Sequence, residues 1–309
     1  MRMTFIVLLI VLSGCATSAR APAPAPATFT AVTLPDYDSE RGIGWASSRE
    51  DFEAARADRR YEMSQFTYLS DGLTVGAYLY RPRKTPRHKL PVILFNRGSV
   101  IRPKGFAGEM LAMAHRYAEA GFLVVAPHYR GSNGWAGRDE LGGADLHDLM
   151  NLRPELERIP GADTSRVFLA GESRGGAMVY MALRDGFPAR AAAVWGAFTD
   201  LDPLTAPGGP QAKGVHSVWP DFDQRHDEII RTRSAIHWAD KINVPVLIMH
   251  GGADDDIPLS QSQRMDAELT RLGKTHELIV FDGQQHVIGG KGAERDAAAI
   301  AWFRKFGAN

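Results

Sequence analysis

Short apolar runs recur along the chain from about Tyr61, separated by longer segments whose apolar residues return every three or four positions. Residues 66–69 and 73–80 flank the turn Ser70-Asp71-Gly72 and stop at Pro82, which predicts two antiparallel strands. Residues 90–95 read as a buried strand entering a glycine-containing loop. A helical stretch over 109–120 follows, and then a second apolar run at 122–126. The runs 167–170, 191–195, 244–249 and 277–281 continue the series, with a helix after Ser173 and a C-terminal helix ending near Phe306. Such alternation predicts an α/β fold, a mostly parallel sheet with helices on both faces. Residues 198–240, rich in Pro, Gly, Trp and charge, interrupt it and predict a small cap or surface insertion before the strand at 244–249. With no internal repeat and no second linker, one domain is expected over 36–309.

Composition narrows the function. Of 309 residues, 44% are hydrophobic and 23% charged, so a sizeable core can be buried. Lysine plus arginine number 36 and aspartate plus glutamate 36, which leaves no global positive field to draw the chain onto nucleic acid. The single cysteine, Cys15, excludes an intramolecular disulfide and a thiolate metal cluster.

The N-terminus reads as an address. Arg2 precedes an apolar run over 5–12, suited to a signal peptide and short of the ~20 residues that span a bilayer. Leu12-Ser13-Gly14-Cys15 resembles the bacterial lipoprotein box, which implies cleavage after residue 14 and lipidation of Cys15. An Ala/Pro-rich tether is expected over 15–35, because Ala-Pro alternation stays extended and unpacked. Ala16 rather than Asp after the cysteine suits the outer membrane, facing the periplasm.

Gly171-Glu172-Ser173-Arg174-Gly175 matches G-x-S-x-G between an apolar strand and a helix, the context of a nucleophile elbow. A serine hydroxyl needs a base to take its proton, and the base needs a carboxylate to fix its tautomer. Both lie downstream at strand ends, where open α/β sheets build their sites: Asp254, Asp255 and Asp256 follow one strand, and Asp282 and His286 the next. His286 is the expected base and Ser173 the nucleophile. His250, one residue past a strand, reads as a structural hydrogen bonder. A metal site formed by it and the aspartates is disfavoured, since no second histidine sits at ligand spacing, and no metal or other cofactor is expected. The backbone N–H of Arg174 is one expected oxyanion donor.

From Tyr61 the chain resembles the catalytic domain of the prolyl oligopeptidase family of α/β-hydrolases. The resemblance rests on Ser70-Asp71-Gly72, Tyr129-Arg130-Gly131-Ser132, the elbow, the run over 233–242 and His250-Gly251-Gly252-Ala253-Asp254. It implies Asp254 as the catalytic acid, leaving Asp255 and Asp256 to cap the next helix or face solvent. Many relatives carry an oxyanion-donating tyrosine where this chain has Asn96, so the second donor is either the Asn96 side-chain amide or the Gly98 N–H. The resemblance implies a serine peptidase. The alternatives are a carboxylesterase or acetylesterase of the dienelactone-hydrolase-like type, and a non-catalytic envelope protein that retains the fold. The short stretch between Asp36 and the first strand holds no propeller to supply peptide specificity. The partner is therefore a small ester or peptide substrate, and its pocket is sought around Trp195, Trp219, Asp221 and Trp238.

Overall fold

The computed structural model describes residues 27–39, 41–99 and 105–308. The expected signal peptide and Cys15 lie outside the described residues. One nine-stranded sheet organises the rest: β1 (Thr30–Ala31), β2 (Tyr61–Ser70), β3 (Leu73–Pro82), β4 (Leu90–Asn96), β5 (Leu123–Pro127), β6 (Ala162–Glu172), β7 (Ala192–Trp195), β8 (Val246–Gly251) and β9 (His276–Phe281). Their order is β1-β2-β3-β5-β4-β6-β7-β8-β9. The first three strands and the β3/β5 pair are antiparallel, and everything from β5 to β9 is parallel.

The tether expected over 15–35 has already ended at its last residues. Ala27 is buried, and Thr30 and Ala31 pair with Gln65 and Ser64 of β2. Phe29, Val32 and Leu34 pack on the core, apolar anchors that an Ala/Pro count does not register. Asp71 and Gly72, with φ of 51° and 79°, close the two-residue β2–β3 hairpin.

Among the described residues, ten helices cover the sheet: α1 (Arg41–Ala46), α2 (Arg49–Ala57), α3 (Ala107–Glu119), α4 (Leu146–Glu155), α5 (Arg174–Arg184), α6 (Asp202–Thr205), α7 (Val215–Val218), α8 (Phe222–Arg233), α9 (Ser260–Arg271) and α10 (Gly292–Phe303). One core layer joins a face of the sheet to α4, α5, α9 and the 198–240 segment; the other joins the opposite face to α1, α2, α3 and α10. All of β8, and β4 beyond Leu90, is buried, which is why these strands lack polar alternation. The 198–240 segment, expected as a cap or insertion, forms α6 to α8. The helices α1 and α2 were not foreseen, and they wall one side of the site. No helix among the described residues is long and apolar enough to cross a membrane.

Candidate active site

Ser173 stands at the junction of β6 and α5 with φ 53° and ψ −122°, a strained conformation for a residue with a side chain. The turn is held by close backbone approach. A Cβ on Gly175 would fall 1.9 Å from the Asn96 carbonyl oxygen, and one on Gly171 would fall 2.4 Å from the Gly175 carbonyl oxygen. The Ser173 N–H donates to the Trp195 carbonyl at 2.8 Å, which locks the elbow to β7.

Two further strand ends complete the arrangement. His286, in the loop after β9, places Nε2 2.8 Å from Ser173 Oγ and Nδ1 2.8 Å from Asp254 Oδ2, in the loop after β8. Because the carboxylate only accepts, Nδ1 carries the proton and Nε2 is left as the acceptor for the serine hydroxyl. Asp254 Oδ1 accepts the N–H groups of Asp256 at 3.0 Å and Ile257 at 2.8 Å, so neither oxygen can turn away. Burial raises the Asp254 pKa, but hydrogen bonds from His250 and His286 outweigh it and hold the group well below the ordinary carboxylate range. For His286, burial favours the neutral form, yet the bond to Asp254 and the nearby charges of Glu172 and Asp256 leave its pKa raised.

The structure thus brings together Ser173, Asp254 and His286. Asp255, Asp256 and Asp282 are exposed and do not reach His286, and the N-cap of α9 is Leu259, with no side-chain hydrogen bond from any of them. His250 is fully buried: its Nε2 lies 2.9 Å from the Ile257 carbonyl and 3.2 Å from Asp254 Oδ2, both acceptors. Nε2 therefore donates, and Nδ1 lies 2.7 Å from the Ser262 hydroxyl. This histidine braces the acid loop.

Of the two alternatives for the second oxyanion donor, the Asn96 amide is ruled out by its own bonds. Its Nδ2 donates to the carbonyls of Leu94 at 3.2 Å and Ala170 at 3.1 Å, while Oδ1 accepts the Tyr129 hydroxyl at 2.6 Å. Both amide hydrogens are spent, one within β4 on Leu94 and one across to Ala170 of β6. Gly98 remains, and it lies against the nucleophile: a Cβ there would sit 3.4 Å from Ser173 Cβ. The Arg174 N–H, in the first turn of α5, has no intrahelical acceptor.

What the sequence reading missed is a buried polar hub beneath this region. The Arg174 guanidinium binds Asp139 and Asp145, each at 2.6 Å, and lies 4.2 Å over the Tyr129 ring. Arg130 grips fully buried Asp148 at 2.7 Å and Asp71 of the β2–β3 turn at 2.9 Å. The Tyr129-Arg130 dipeptide thereby ties the hairpin, α4 and β4 into one frame. Its signal lay in the motif, but its partners are far off in sequence.

The triad opens into a cleft of about 1520 Å³. One chamber is apolar, lined by Phe198, Leu201, Leu204, Val215, Trp219 and Ile257. The other side is bounded by Tyr37 and Trp45 from the N-terminal segment and by residues 289–294. Of the residues among which the pocket was sought, Trp219 lines the apolar chamber. Trp195 lies beneath Glu172, Trp238 packs into the core, and Asp221 is on the surface beside Arg225.

A strained serine at a strand–helix turn, hydrogen-bonded through a histidine to a buried carboxylate at neighbouring strand ends, defines a serine hydrolase of the α/β-hydrolase fold. Residues 110–308 match the prolyl oligopeptidase family, and the chain belongs to it. It is 27% identical over 225 residues to the uncharacterized peptidase YtmA of Bacillus subtilis, covering 71% of this chain and 84% of that one. The acylaminoacyl peptidase of Pyrococcus horikoshii superposes with a TM-score of 0.65 at 25% identity, over 81% of this chain and 42% of its own. An acylaminoacyl peptidase in complex with Z-Gly-Gly-Phe-chloromethyl ketone superposes with a TM-score of 0.62 at 25% identity, over 82% and 42%. The chain thus spans less than half the length of these solved relatives.

Proposed function

We propose that this chain is a serine peptidase that cleaves short peptides through an acyl-enzyme, with Ser173 as nucleophile, His286 as general base and Asp254 as its orienting acid. The observation that carries the reading is the unbroken chain Ser173 Oγ–His286–Asp254, with both links at 2.8 Å. Ser173 Oγ attacks the scissile carbonyl carbon while His286 Nε2 takes its proton, and the carbonyl oxygen becomes an oxyanion facing the N–H groups of Arg174 and Gly98. Collapse expels the amine, which leaves with the proton from Nε2. Water, deprotonated by the same nitrogen, then releases the acid and restores the serine. The apolar chamber beside Val215 and Trp219 suits a hydrophobic side chain next to the scissile bond. One solved relative is in complex with Z-Gly-Gly-Phe-chloromethyl ketone, and the phenylalanine of that compound fits the reading.

A fluorophosphonate probe should label the wild type at Ser173 and leave Ser173→Ala unlabelled. Among substrates, hydrophobic peptidyl arylamides should turn over alongside p-nitrophenyl acetate. Turnover of the ester alone would refute the peptidase reading in favour of an esterase.

We further propose that the precursor is cleaved before Cys15 and that lipidated Cys15 anchors the enzyme to the outer membrane, facing the periplasm. Support comes from the run over 5–12, Leu12-Ser13-Gly14-Cys15 and Ala16. The Ala/Pro-rich segment would hold the catalytic domain off the bilayer. Wild-type protein should fractionate with membranes and Cys15→Ala protein should not; equal fractionation would refute the anchor.

A further inference from the structure

Glu172, the residue before the nucleophile, is left unexplained by the proposed chemistry. The elbow needs glycine at 171 and 175 for space, but nothing in its backbone geometry calls for a carboxylate at 172. The space directly over Gly98, where a side chain would begin, is bounded by Glu172 Oε1 at 2.9 Å and by Ser173 Cβ at 3.4 Å. The carboxylate therefore stands beside the reacting centre. Its other oxygen, Oε2, accepts the indole N–H of fully buried Trp195 at 3.1 Å, which fixes the side chain in place.

Glu172 acts on His286 and Arg295 only through space. Among the described residues Glu172 has no ion pair, and the cations nearby are committed elsewhere. The charge of Arg295, 4.6 Å over the Trp195 ring, attracts Glu172 at a distance, but its donors go to Asp296 at 2.9 Å and the Val287 carbonyl at 2.7 Å. Arg174 is held by Asp139 and Asp145, and Lys291 faces Glu294 at 3.5 Å. A half-buried carboxylate that a substrate must cover loses water on binding, and a neutral substrate returns nothing for that loss. A cationic nitrogen does, through a charge-assisted hydrogen bond to Oε1.

We propose that Glu172 is a specificity-determining residue that selects substrates carrying an ammonium or guanidinium group close to the scissile bond. The inference rests on the serine-hydrolase reading of the site and names the substrates it prefers. The cation has two sources, a free amino group on the acyl side or a basic residue on the leaving side.

The test compares matched pairs by kcat/KM: aminoacyl arylamides against their N-acetylated forms, and neutral-acyl peptides whose leaving residue is lysine against norleucine. In at least one pair the cationic member should be favoured about tenfold, with the preference shrinking as salt is raised. Glu172→Gln keeps an oxygen for Trp195 but removes the charge, and it should bring that ratio close to one. Glu172→Asp should keep its sign. A change in the basicity of His286 moves both members of a pair alike and cancels in the ratio. The proposal is overturned if neither pair shows a preference, or if Glu172→Gln leaves the ratio as it was. Should Glu172→Gln not fold, the wild-type preference and its salt dependence decide the matter. Loss of fluorophosphonate labelling in the wild type would instead count against the hydrolase reading itself.

Discussion

Asp254→Asn gives the sharpest test of the proposed triad, because the structure dictates which way the new amide must face. Oδ1 of Asp254 accepts two backbone N–H groups, from Asp256 and Ile257. An asparagine has one oxygen, and those donors hold it in the Oδ1 position. The NH₂ group then occupies the Oδ2 position, 2.8 Å from His286 Nδ1 and 3.2 Å from the proton-bearing Nε2 of His250. Facing a donor, His286 must accept at Nδ1 and carry its proton on Nε2, the atom that has to be bare to deprotonate Ser173. The wrong tautomer costs on the order of 10⁴-fold in kcat/KM, or about 5.5 kcal/mol of transition-state stabilisation at ~1.36 kcal/mol per decade. The assay is kcat/KM on an activated ester at a pH where the wild type is fully active, with the thermal midpoint measured in parallel. Asp255→Asn, at an exposed position, should stay within about twofold of wild type. Activity within tenfold of wild type in a folded Asp254→Asn protein would refute the reasoning.

Other outcomes follow from the same geometry. Because the His286 pKa is raised and catalysis needs the neutral ring, kcat/KM should rise with pH along a limb centred above the ordinary 6.5; a limb below 6.5 would contradict the Asp254 pairing. Asn96→Ala removes three buried hydrogen bonds and should lower stability by about 3 kcal/mol in denaturant melts, whereas an oxyanion donor would instead lower kcat with the melt unchanged. Gly175→Ala drives a methyl into the Asn96 carbonyl and should cost about 3 kcal/mol or prevent folding, so a stable, active variant would be inconsistent with the elbow described. Trp219→Ala enlarges the apolar chamber and should shift preference toward bulkier hydrophobic side chains, read as a changed kcat/KM order across a peptidyl arylamide series.

The order of local signals in the chain determined a great deal. Apolar runs alternating with helical periods specify a covered parallel sheet, since a strand buried on both faces needs no polar alternation, as residues 246–249 of β8 show. Glycine at 171 and 175 marked the elbow because backbone-to-backbone contact tolerates no Cβ there. The candidates Ser173, Asp254 and His286 were legible because each follows a strand, and strand ends converge in such a sheet.

Tertiary structure decided whatever depends on partners distant along the chain. The Asn96 amide was a candidate donor until its own strand, β6 and Tyr129 claimed its hydrogen bonds. His250 and the N–H groups of residues 256 and 257 show how Asp254 is held, which the competing carboxylates in that loop concealed. Helices α1 and α2 form one wall of the cleft although nothing in their own sequence points at Ser173. Glu172 entered only as a position within the elbow motif, and the commitment of Arg295, Arg174 and Lys291 to other acids leaves it without an ion pair among the described residues. Periodicity is a property of neighbours in the chain, so the sequence carries it openly. Hydrogen-bond saturation and charge pairing are properties of neighbours in space, and they exist only once the sheet has brought those residues together.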